Sequence, residues 1–72
     1  MNMPKKSYEK LGRKIQKLRK ATDLTQEEFA ERLNISRTHM GHIEQGRKQP
    51  SLELLQKIAK ALGVKTKDLI PF

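Results

Sequence analysis

Apolar residues recur along this chain at spacings of three and four rather than two, the period of helices and not of strands. Tyr8, Leu11, Ile15 and Leu18 form the first such stripe, with Lys10, Arg13, Lys14, Lys17 and Lys20 on the other faces. The pattern predicts a helix from Tyr8 to about Ala21–Asp23. Thr25-Gln26-Glu27-Glu28 then has the spacing of a capping box, with Thr25 as N-cap and Glu28 reaching back from the third helical position. Phe29, Ala30 and Leu33 supply the apolar side of a second helix. Asn34-Ile35 makes a short turn, and Ser36 is a good N-cap for a third helix. Ile35 and Met40 are placed for a hydrophobic staple across that cap. Gly46 stands where a left-handed residue ends the third helix. Beyond the Arg47-Lys48-Gln49-Pro50 loop, Ser51 caps a fourth helix whose stripe is Leu54, Leu55, Ile58, Ala59 and Leu62, ended by Gly63. Thr66 is expected to cap a last turn, Lys67 to Ile70, stopped by Pro71. Residues 1–7, with Pro4, Lys5 and Lys6, show no period and read as a mobile basic arm; residues 8–72 are the expected folded domain. No alternating run and no repeat occurs, so the fold class is all-α, a compact bundle of five short helices.

One residue in the third helix runs against propensity. Gly41 lies inside SRTHMGHIEQG, residues 36–46, and glycine in a helix interior costs about 0.5–1 kcal/mol relative to alanine. On a helix, Arg37, Thr38, Gly41, His42 and Gln45 share one polar arc, while Met40 and Ile43 lie roughly opposite, toward the core. Those polar groups suit base edges: arginine can grip guanine O6 and N7, and the threonine methyl can meet the thymine methyl. A bare backbone at Gly41 would let the helix sit deep in a groove. The plainer reading is a solvated face with a glycine of no consequence. The spacing upstream favours the groove. A helix near 25–33, a turn of about three residues and a helix near 36–45 make helix-turn-helix geometry, whose second helix enters the major groove.

With those elements in place, LTQEEFAERLNISRTHMGHIEQGRKQPSLELLQKIAKALGV resembles the lambda-repressor-like family, of the Cro/cI or xenobiotic-response-element type. The likeness runs from GRKIQKLRK through LGV and DLI, about residues 11–70, and rests on the order and spacing of T-Q-E-E-x-A, I-E-x-G and P-S. It implies a double-stranded DNA-binding regulator of transcription, most simply a repressor on a palindromic operator. It also implies roles for single residues. Arg37, Thr38 and His42 fall at base-reading positions, with Gly41 among them. Gln26 opens the second helix, where the family sets a side chain against the phosphate backbone, helped by exposed amides. Arg47 and Lys48 match phosphate-contacting loop positions, Ser36 is grouped with these backbone contacts, and His39, off the centre of the arc, suits phosphate or sugar. Arg19 and Glu44 match positions that form an internal ion pair.

Composition narrows the alternatives. The net charge of +8 is uneven: residues 1–20 carry eight Lys/Arg against Glu9 (+7), residues 21–44 two against five acids (−3), and residues 45–72 six against Glu53 and Asp68 (+4). A basic surface favours nucleic acid or an acidic partner. The load on the first helix exceeds what the family motif requires. There is no cysteine, so thiolate metal sites and disulfides are excluded. His39 and His42 alone make an incomplete metal shell. Glu27, Glu28 and Glu31 surround a helix N-terminus, where acids favour the dipole. No catalytic set, phosphate loop or cofactor fingerprint occurs, so neither an enzyme nor a cofactor, metal or small-molecule ligand is implied. No apolar run approaches a membrane span, and residues 1–20 lack the apolar block of a signal peptide, so a cytoplasmic location is expected. RNA binding is weakened by the scarcity of exposed aromatics. The competing class is a protein-interaction module, for instance an antitoxin, which has no need of Arg, Thr, Gly and His together facing solvent.

One recognition helix reads few base pairs, so the family uses two-fold dimers with half-sites about one helical turn apart. Leu52, Val64, Leu69, Ile70 and Phe72 are an apolar surplus at the C-terminal end and predict a homodimer contact. The alternative is that Ile70 and Phe72 fold back to close a monomer's core.

Overall fold

In the computed structural model, which describes residues 3–70, five helices follow one another: α1 (Lys5–Ala21), α2 (Gln26–Leu33), α3 (Arg37–Glu44), α4 (Leu52–Leu62) and α5 (Thr66–Leu69). There is no strand among the described residues. α2 and α3 pack on each other, α1 lies across α3, α4 packs on α2, and α5 on α4. The core they enclose is built from Leu11, Ile15, Phe29, Ala30, Leu33, Met40, Ile43, Leu55, Ile58 and Ala59, with Tyr8, Leu18, Ile35, Leu54 and Leu62 partly buried against it. Burying such side chains, at about 1.5–3 kcal/mol each, is the main force holding so small a domain together. No helix among the described residues is long and apolar enough to cross a membrane.

Local chemistry sets the boundaries. Thr25 and Glu28 complete the capping box: Glu28 N–H donates to Thr25 Oγ1 at 3.1 Å, and Thr25 N–H to Glu28 Oε1 at 2.9 Å. Those bonds hold the exposed Glu28 carboxyl below its usual pKa, so this acid is structural. Ser36 caps α3 and Ser51 caps α4 by accepting from His39 N–H and Leu54 N–H. Three helices end alike, on a left-handed residue between two reverse bonds. Gly46 (φ 74°) and Gly63 (φ 72°) take that role as expected, and Asn34 (φ 59°) takes it for α2. The side chains of Asn and Asp tolerate this region better than others do. Only Asn34, Ile35 and Ser36 separate α2 from α3.

Three expectations need correction. The chain from Met3 to Ser7 is not a free arm: Pro4 fixes the backbone ahead of a helix that begins at Lys5, Met3 is only 7% exposed, and Met3 N–H donates to Gln49 Oε1 at 3.1 Å. Met3 lies ahead of Pro4 and five residues before Tyr8, off the spacing of three and four, so periodicity does not mark it as core. The last helix is capped one residue earlier than expected, at Lys65, whose N–H donates to Asp68 Oδ2 at 3.1 Å. Leu69 belongs to this monomer's own core, at 0% exposure, and cannot serve a dimer contact. A helix of four residues is too short for its period to reveal which side faces in. Val64 and Ile70 are partly buried, Leu52 is 52% exposed, and Phe72 lies outside the described residues.

Candidate nucleic-acid interface

α3 turns Met40 and Ile43 into the core, which leaves Arg37, Thr38 and Gln45 exposed and Gly41 and His42 half-exposed on the outer face. These five residues line one concavity together with Gln26 and Arg47. The arc drawn from helical periodicity is thus a continuous surface, extended by the first residue of α2. It presents a guanidinium, a hydroxyl with its methyl, an imidazole and two amides, a set that can donate to and accept from base edges.

The flanks are cationic. Arg47 N–H and Lys48 N–H both turn back to His42 O, at 2.9 and 3.3 Å, which fixes the start of the loop against the end of α3. Their side chains are exposed. Ser36 uses its oxygen to cap α3, accepting from His39 N–H at 3.0 Å, and keeps its hydroxyl proton for an outside acceptor. His39 is partly buried, and desolvation, with the charges of Lys48 and His42, pushes its pKa below the usual histidine value. That shift favours the neutral imidazole, which is suited to a hydrogen bond rather than to charge neutralisation. Elsewhere, α1 carries Lys5, Lys6, Lys10, Arg13, Lys14, Lys17 and Lys20, all exposed.

Behind the concavity sits an ion pair. Arg19 Nε donates to Glu44 Oε2 at 2.6 Å and Arg19 Nη2 to Glu44 Oε1 at 3.0 Å, a bidentate pair in which the Glu44 side chain is 0% exposed. Arg19 Nη1 also donates to Leu24 O at 2.7 Å, tying the end of α1 to the segment before α2. Sequence reasoning missed the third member: Gln26 Nε2 donates to Glu44 Oε1 at 3.0 Å, so the first residue of α2 is held by the last residue of α3. Neither periodicity nor capping rules carry that contact, because it depends on how two helix ends meet in three dimensions.

The glycines divide in the same way. A Cβ on Gly41 would stand 3.7 Å from Gln26 Oε1, ordinary contact, so nothing inside the protein demands glycine there. Gly12, inside α1, is where that helix meets the end of α3. A Cβ there would overlap the carbonyl oxygen of Ile43 and lie 2.6 Å from that of Glu44.

An all-helical bundle whose short-linked second and third helices present such a face is that of a helix-turn-helix regulator. The chain belongs to the helix-turn-helix family of the Cro/cI type, whose model matches residues 15–69. Among its relatives, the control protein C.MunI of a Mycoplasma species is 43% identical over 61 residues, covering 83% of this chain and 82% of that protein. The immunity repressor of Bacillus phage phi105 is 38% identical over 60 residues, 83% of this chain but only 42% of the repressor. Among solved structures, the restriction-modification controller protein C.AhdI from Aeromonas hydrophila superposes with a TM-score of 0.83 at 32% identity, covering 88% of this chain and 96% of that one.

Proposed function

We propose that this chain is a sequence-specific, double-stranded DNA-binding transcriptional regulator that lays α3 in the major groove and represses from a palindromic operator as a homodimer. The observation that carries the reading is the concavity on which Arg37, Thr38, Gly41, His42 and Gln26 converge, flanked by exposed cations. A protein-docking module would have no use for that set. Relatives named as control proteins and as an immunity repressor support regulation by DNA binding. The proposed role involves no catalysis and no cofactor or metal. Enrichment of bound sequences from a random duplex pool is the direct test; a pool that stays unselected would defeat the reading.

Base reading and phosphate holding should separate on mutation. Arg37→Ala is expected to cost about 1–3 kcal/mol on the selected site and to relax preference at one base pair. Lys48→Ala should weaken all sequences alike and flatten the salt slope by about one unit. Titrations of both variants against selected and scrambled duplexes over a range of salt measure this; the same pattern for both would contradict it.

Leu52, together with the partly buried Val64 and Ile70, is the proposed self-contact now that Leu69 is committed to the core. Leu52 is the exposed large hydrophobic among the described residues. A full palindrome is expected to bind more tightly than either half, and Leu52→Glu should reduce the full site to half-site affinity. Light scattering at high concentration gives the second measurement. A monomer throughout, with equal affinity for both duplexes, would rule the dimer out.

A further inference from the structure

The Gln26 amide has a fixed sense. A glutamine amide can turn over, and its partners decide which end is oxygen. Glu44, paired with the Arg19 guanidinium, offers only acceptors, so the group 3.0 Å from its Oε1 is the Gln26 NH2. Arg19 grips both carboxylate oxygens, which holds Glu44 still. The other end of the amide, Gln26 Oε1, lies beside Gly41, where a Cβ would stand 3.7 Å away. Gly41 has no Cβ, so residue 41 places no side chain over this carbonyl oxygen, and Gln26 lines the same concavity as Arg37, Thr38 and His42.

On the DNA-binding reading above, we infer that Gln26 reads a base rather than merely holding phosphate. Its Oε1, aimed by the Arg19–Glu44 pair and with no side chain set over it by Gly41, accepts a hydrogen bond from an exocyclic amine in the major groove, adenine N6 or cytosine N4. Phosphate oxygens are acceptors only, so they could take the second N–H of the amide but never its carbonyl, which is left for a base. Glu44 is then a positioning residue, which touches no DNA but sets which edge of the amide faces it. Gly41 has a use beyond clearance, since a methyl there would stand over the oxygen without disturbing the fold.

The test is a cycle between protein group and base group. On the duplex selected by the wild type, the exocyclic amine of each adenine or cytosine is removed in turn, using purine for adenine and pyrimidin-2-one for cytosine. At one position the wild type is expected to lose about tenfold in affinity. Gln26→Ala, itself weakened, should be indifferent to the same deletion, and Gly41→Ala should have lost the same discrimination. A merely structural role would not produce that coupling. Glu44→Gln, measured below its unfolding midpoint, supplies an amide that can donate; Gln26 can then turn over, and preference at that pair should move toward guanine, which presents acceptors. If every amine deletion weakens wild type and Gln26→Ala equally, Gln26 only holds the backbone and the inference fails while DNA reading stands. A wild type that enriches no sequence overturns both.

Discussion

Replacing Glu44 by glutamine, or Arg19 by methionine, is expected to remove about 3–5 kcal/mol of stability, the usual cost of stranding one member of a buried ion pair. For a domain of this size, each kcal/mol moves the unfolding midpoint by roughly 4–8 °C, so either variant should melt more than ten degrees lower. Burial is what makes the effect large: exposed pairs contribute about 0–1 kcal/mol, whereas here the carboxylate is fully enclosed and Arg19 is nearly so. The pair is also a junction. Arg19 serves Leu24 O as well as Glu44, and Glu44 serves Gln26, so one substitution leaves several polar groups short of a partner. The double replacement Arg19→Met with Glu44→Met should recover part of the loss, because no lone charge remains. It should not recover all of it, since Leu24 O and Gln26 Nε2 still lose the bonds seen here. Thermal unfolding of the two single variants and the double is the measurement. Single variants that melt within a few degrees of wild type would mean that the pair is superficial.

What sequence could reveal follows from which interactions are local. Thr25, Ser36 and Ser51 act within three residues of themselves, so their capping was legible, as were the left-handed Gly46 and Gly63. The arc on α3 was legible because Met40 and Ile43 mark the inner face and leave the outer one defined. Contacts between distant segments were not. Met3 packs in the core from beyond a proline, Leu69 turns inward from a four-residue helix, and Gln26 bonds to a carboxylate on another helix. The Arg19–Glu44 pair bridges 25 residues and was anticipated only through family resemblance, although Leu11, Ile15 and Arg19 lie in one row of α1 and all three are buried. An arginine continuing an apolar row at a spacing of four is a signal that it points inward to a partner.

Two glycines in helices should answer mutation in opposite ways. Gly12→Ala is expected to destabilise by about 1–3 kcal/mol, despite alanine's better helix propensity, because the new methyl meets backbone of α3 that cannot swing aside. The atoms it meets belong to Ile43 and Glu44, so any shift also loosens the carboxylate that holds Arg19 and Gln26. Gly41→Leu should leave the midpoint unchanged or slightly raised, since the position has room internally and helix propensity improves by several tenths of a kcal/mol or more. Yet it places a branched side chain in the centre of the proposed reading surface, between Arg37, Thr38 and His42, and specific DNA binding should be abolished. Paired melting curves and duplex titrations separate the cases: Gly12→Ala melts lower, whereas Gly41→Leu melts normally and discriminates nothing. If Gly41→Leu binds the selected duplex as wild type does, no close approach occurs there and α3 does not enter the groove through this face.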